Sequence, residues 1–230
     1  ACSFPVVIIT LGKIVSASQR SLVLGLGTAA ASTGMLVAAP LSQFLLAIGG
    51  WETAIHVIAF GFLTILPLTY FIGRVSMPSA KSNHTAGILP AIRLAFTDQA
   101  YLLLFFGFFV CGFHVNFIQT HLPAYIVDSG LAVVVGGWSL ALIGLFNIAG
   151  SFLSGWSGQV LPKKNVLAGI YGARAVVILI FILTPMSPLS VYVFSAAMGV
   201  LWLSTVPLTT GLVAQTQGLT YLSTLAGFVF

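Results

Sequence analysis

The 230-residue chain is 59% hydrophobic and 5% charged, with a mean hydropathy of +1.12 and a formal net charge of +5. A soluble domain carries roughly 25% charged residues, so this composition cannot build a water-facing surface, and apolar runs of about twenty residues point to membrane-spanning helices rather than barrel strands. The excess of Lys and Arg lies in short connections between apolar runs, which excludes a basic nucleic-acid surface.

Apolar length and Gly/Pro punctuation predict a partial helix at 1–12, full helices near 21–48, 51–72, 100–126, 131–157, 165–184 and 189–213, and a last partial helix from 221. Both ends fall inside apolar runs, and no leader with a cleavage site is visible, so the chain is read as a fragment of a longer protein. Lys13 and Arg20 lie in the first connection, Glu52 in the second, and Arg74, Lys81 and Arg93 in the third. Asp128 lies in the fourth, and Lys163 with Lys164 in the fifth. Cytoplasmic loops concentrate Lys and Arg, so segments 13–20, 73–99 and 158–165 are expected to be cytoplasmic, in a bacterial inner membrane.

The long connection 73–99 is polar at "RVSMPSAKSNHTAG" and then turns amphipathic, with Ile88, Ile92, Ala95 and Phe96 at helical spacing. A short helix lying on the inner membrane surface is expected there. The acceptor pattern "NHT" at 83–85 would be cytoplasmic and hence unmodified. Cys2 and Cys111 lie in apolar stretches and read as small buried hydrophobes. Pro40, Pro67 and Pro207 are expected to bend their helices, and Asp128 to cap the helix after it.

Helix 100–126 carries His114, Asn116, Gln119 and His121. At 100° per residue, His114 and His121 share a stripe with Phe117 and Tyr125, while Asn116 and Gln119 fall almost opposite, with Gly112 and Pro123. One stripe should face an aqueous cavity and the other a packed helix contact, because polar groups avoid lipid. His114 would sit ~21 Å from the inner end. Arg174, at ~13 Å depth by the same rise, lies near the midplane, where an Arg costs at least ~2.5 kcal/mol and is a functional candidate by default. Its fork of donors suits a carboxylate, and the competing reading is an Arg satisfied by helix carbonyls. Asn147 and Tyr171 are further candidates. Ala30, Gly34 and Ala38, and likewise Gly150, Ser154 and Gly158, let helices approach closely. The spans hold no Asp or Glu, so a proton-coupled carrier would need His114 or a carboxylate elsewhere.

"GSFLSGWSGQVLPKK" at 150–164 resembles an inter-helix signature of the major facilitator superfamily. "GFFVCGFHVNFIQTHLPAYIVDSGL" (107–131) and "VPLTTGLVAQTQGLTYLSTLAGFVF" (206–230) look like the bacterial branch related to monocarboxylate and oxalate/formate carriers. The resemblance implies an all-α, polytopic helix bundle of twelve helices, of which this chain would hold about six full and two partial. Residues 1–72 would end the N-terminal bundle, 73–99 would form the cytoplasmic linker, and 100–230 would form most of the C-terminal bundle. It also implies a gating role for Gly150, Ser154, Gly155, Gly158, Lys163 and Lys164. The signature's usual Asp is missing, "MLVAAPL" lacks the Gly-Pro pair of antiporters, and 131–157 lacks the basic residue of related anion carriers.

The expected function is secondary transport of a small organic solute by alternating access, with an organic anion such as a monocarboxylate as the leading substrate class. Export of drugs or other non-anionic solutes is the alternative, and a non-transporting receptor or scaffold is the reading from another class. The proposed solute contacts are Arg174, His114, Asn116, Gln119, His121, Asn147 and Tyr171. A proton or counter-anion is the open choice of coupling partner, in a protein expected to act as a monomer within the bilayer. No enzyme chemistry is expected, because the two helical histidines are seven residues apart with no nearby carboxylate. No cofactor, metal or nucleic-acid partner is expected.

Overall fold

A computed structural model of the chain describes residues 7, 8, 10, 11, 15, 16, 18–63, 67, 87–218 and 220–230. Expectations for Cys2, Lys13, Arg74, Lys81 and the 83–85 acceptor fall outside these residues. Among the described residues all regular structure is helical. Among the described residues, five segments are long and apolar enough to cross a membrane: Arg20–Leu63, Gln99–Asp128, Val133–Val160, Lys163–Leu183 and Pro188–Gln217.

Helix α1, Arg20–Leu63, is two helices joined at Gly50, whose φ of 69° and ψ of −172° suit a residue without a Cβ. Pro40 lies inside the first of them without interrupting it. Helix α2, Ile88–Ala95, is a short amphipathic piece with Ile88, Leu89 and Leu94 exposed. Helix α3, Gln99–Asp128, is capped by Asp98, which accepts from Ala100 N at 3.0 Å. The cap expected from Asp128 is not made: Asp128 is the last residue of α3, and Ala132 occupies the cap of α4, Val133–Val160. Asp128 is four residues too early to reach the free N–H groups of α4.

Helix α5 spans Lys163–Leu183. The next span was expected as one helix over 189–213 but consists of α6, Pro188–Leu201, and α7, Thr205–Gln217, separated at Trp202–Ser204. The interruption follows from Pro207, which has no N–H and whose ring crowds the carbonyl four residues earlier, that of Leu203. Tight turns close the gap, with Trp202 N–H on Gly199 O and Val206 N–H on Leu203 O, both at 3.0 Å. Helix α8, Leu222–Val229, is tied to the base of α3 by Tyr101, whose hydroxyl donates to Leu225 O at 2.8 Å.

Helices α1 and α4 run antiparallel along a continuous seam. Each step forward on α1 is matched by a step back on α4: Ser21 lies against Gly158, Gly25 against Gly155, Ser32 against Asn147, Leu36 against Gly144 and Gln43 against Gly137. The register never drifts over about 33 Å of helical rise, roughly the thickness of the hydrocarbon core. Glycine allows this approach: a Cβ on Gly25 would lie 2.9 Å from Gly155 Cα, and one on Gly144 would lie 2.7 Å from Leu36 N. Backbone cannot yield as a flexible side chain can, so overpacking here costs about 1–3 kcal/mol per site. Gly155→Leu should therefore lower the melting temperature of the full-length protein by several degrees in a detergent thermal-shift assay. Gly34→Ala, where an added Cβ meets nothing within 4 Å, should leave it unchanged.

Candidate functional site

The interruption between α6 and α7 leaves backbone groups without helical partners in the middle of an apolar bundle, where each would be costly to bury alone. Side chains from two other helices, α4 and α5, take them up. Arg174 of α5 is fully buried, at 0% exposure. Its Nε donates to Leu201 O at 3.0 Å, and its Nη2 donates to the same oxygen at 2.6 Å and to Trp202 O. Its Nη1 donates to Cys111 Sγ of α3 at 3.2 Å, and that sulfur shares a hydrogen bond of 3.2 Å with Thr205 Oγ1. The guanidinium carbon lies 5.5 Å from the centre of the Tyr171 ring, a cation–π distance. Tyr171 itself donates to Gly107 O at 2.7 Å. The guanidinium thus carries positive charge to the carbonyl end of α6, where the helix dipole favours it.

From α4, Asn147 takes up the donor side of the same gap: its Oδ1 accepts from Leu203 N at 2.9 Å and from Ser151 Oγ at 3.2 Å. Its Nδ2 donates to Ser32 Oγ of α1 at 2.6 Å. Ser154 donates to Ser204 O. A Cβ on Gly150 would fall on the Val200 carbonyl, so this glycine admits α6 against α4. Of the residues expected at a gate, Gly155 and Gly158 line the seam, Lys163 packs its chain beside Gly211 of α7, and Lys164 is exposed.

The polar residues of α3 face three different spaces. His114 and His121 line a cavity of about 670 Å³ with Phe117, Tyr125, Phe181 and Phe194, and Asp128 at its edge. His114 Nδ1 is buried without a hydrogen-bond partner among the described residues. The His121 ring lies 4.7 Å from that of Phe117. Asn116 and Gly112 line a second cavity of about 620 Å³ between α3 and α8, shared by His121. Gln119 and Pro123 line a third, of about 350 Å³, between α1, α3 and α4, where Gln119 donates to Met35 Sδ at 3.8 Å. The histidine stripe stays together; Asn116 and Gln119 do not share a space.

The structure therefore brings Arg174, Tyr171 and Asn147 to the helix break, whereas His114 and His121 line the aromatic cavity. It adds Cys111, Ser32, Ser154 and Thr205, which sequence reasoning did not single out as polar partners. The signal available for the break was Pro207.

This arrangement combines a discontinuous apolar helix with closely packed small-residue helices. The sequence matches the profile of the Major Facilitator Superfamily over residues 1–230. The chain belongs to that superfamily. It is 26% identical over 225 residues to an uncharacterized MFS-type transporter, YcxA, of Bacillus subtilis (strain 168), covering 93% of this chain and 54% of that protein. The chain thus spans about half the length of the curated relative it matches. Membership of the superfamily supports a multi-pass membrane transport protein rather than an enzyme. In this superfamily member the break in the split span is bonded by the buried guanidinium of Arg174.

Replacing Arg174 by Ala should leave the Leu201 and Trp202 carbonyls unbonded and destabilise the full-length protein by about 2–5 kcal/mol. Added guanidinium ion, at concentrations well below denaturing, should restore part of the lost melting temperature in Arg174→Ala and none in the wild type, as read by thermal shift against matched sodium chloride.

Proposed function

We propose that the full-length protein is a secondary carrier that moves a small organic solute by alternating access. The family supports transport, and the extended α1–α4 seam, where glycines bring the two backbones close, suits two helices that change their relative position. In this reading residues 1–72 belong to one bundle and 100–230 to the other, with 73–99 as a cytoplasmic linker.

The state of Arg174 carries the choice of solute. A carboxylate needs donors within its reach, and this guanidinium is fully buried, with four of its five N–H groups on Leu201, Trp202 and Cys111. The other basic side chains on described helices, Arg20, Arg93, Lys163 and Lys164, stand at or near helix ends. Among the described residues the organic-anion reading finds no midspan cation beyond this engaged guanidinium, which favours a non-anionic solute. The cavity lined by His114, His121, Phe117, Tyr125, Phe181 and Phe194 has the aromatic walls and few polar groups of a small-molecule site. It suits an uncharged or aromatic solute held by ring stacking, with the His114 imidazole in its wall to orient it. His121 lines both this cavity and the neighbouring one that holds Asn116, whereas Gln119 faces a third space.

A counterflow assay with full-length protein in proteoliposomes tests this directly. Uncharged aromatic solutes should exchange and small monocarboxylates should not, and His114→Ala should lower kcat/KM about tenfold, the loss of one oriented hydrogen bond of about 1.4 kcal/mol. Saturable exchange of monocarboxylates alone would return the anion reading to first place.

A further inference from the structure

Asn147 belongs to two structures at once. Its Oδ1 holds the Leu203 N–H of the helix break, at 2.9 Å, and its Nδ2 donates to Ser32 Oγ on α1, at 2.6 Å. The orientation of the amide is fixed by its partners. Leu203 N–H can only donate, and the Ser32 hydroxyl already donates to Thr28 O at 2.8 Å, so it receives the amide proton. Both Asn147 and Ser32 are buried, at 0% and 2% exposure, so no water replaces either partner. The Ser32–Asn147 bond lies midway along the glycine seam, which otherwise rests on nondirectional close packing.

We propose that Asn147 is a positioning residue that couples the register of the α1–α4 seam to the geometry of the α6–α7 break. When α1 moves along α4, Ser32 leaves the amide. The Asn147 side chain must then reorient to find another acceptor for Nδ2, which draws Oδ1 from Leu203 N–H. The break loosens, and with it the Arg174–Cys111–Thr205 cluster on its other side. A motion between two helices is thereby transmitted to the break of a split helix, whose α7 half α1 also packs against directly at Leu24 and Ser21. The use of this coupling in a transport cycle rests on the carrier reading above; the coupling itself is tested without any solute.

Cys111 is a native reporter of the break, because its sulfur contacts Arg174 and Thr205 and is 1% exposed. Its alkylation by N-ethylmaleimide can be followed by peptide mass spectrometry in the full-length protein in lipid nanodiscs. Ser32→Ala removes the seam bond and touches nothing at Cys111, yet it should speed labelling about threefold to tenfold, the size of one interhelical hydrogen bond in a membrane. Thr28→Val, one turn away, removes a hydroxyl that bonds only its own helix at Leu24 O, 2.8 Å; labelling should stay at the wild-type rate. Asn147→Ala, which severs both arms, should label at least as fast as Ser32→Ala. Wild-type labelling in Ser32→Ala would overturn the coupling, whatever Asn147→Ala does. Equal acceleration in Thr28→Val would overturn it as well, since general loosening of the seam would then suffice.

Discussion

A bilayer offers no water to an interrupted helix, so every backbone group freed between Leu201 and Thr205 must find a protein partner. Much of this bundle is organised by that demand. Pro207 creates the gap, and the gap recruits Arg174 from α5, Asn147 and Ser154 from α4, and, through Arg174, Cys111 from α3. A guanidinium suits this position because its planar fork can serve two successive carbonyls, and its fixed positive charge answers the negative end of α6. A lysine at 174 would supply charge without the fork.

Two kinds of contact divide the work. Along α1 and α4 the helices meet through glycine and backbone, a surface that is close but carries little directional information. Around the break the contacts are hydrogen bonds with defined donors and acceptors, buried and individually expensive to leave unmade. The first kind tolerates displacement along the helix axis, whereas the second holds one arrangement. Asn147 stands where the two meet. The aromatic cavity beside His114 lies outside both, lined by Phe117, Tyr125, Phe181 and Phe194, where side chains can adjust without disturbing backbone pairing.

The spans were legible from composition, because twenty-residue apolar lengths and Lys/Arg-bearing connections are properties of single segments. The place of Arg174 near the middle of one such segment was legible for the same reason. Its partners were not: they are carbonyls on a helix whose hydropathy runs on through the break, and Pro207 announces a bend without saying which side chains will answer it. Asn147 is a weak candidate in the sequence although it is central in the structure, because its partners lie 115 and 56 residues away. Helical-wheel reasoning kept His114, His121, Phe117 and Tyr125 together, since they share one side of one helix. It could not separate Asn116 from Gln119, whose surroundings are set by α8 in one case and by α1 and α4 in the other.

The unbroken pairing from Ser21 opposite Gly158 to Gln43 opposite Gly137 also constrains chain length. Deleting one residue within either partner would rotate everything beyond it by about 100°, turning each following glycine away and driving a neighbour's bulk into the opposing backbone. A single substitution along this pair of helices disturbs one contact, whereas a shift of frame disturbs every contact beyond it. The two segments are therefore bound to keep their residue count as well as their small side chains, a form of heredity written in spacing rather than in identity.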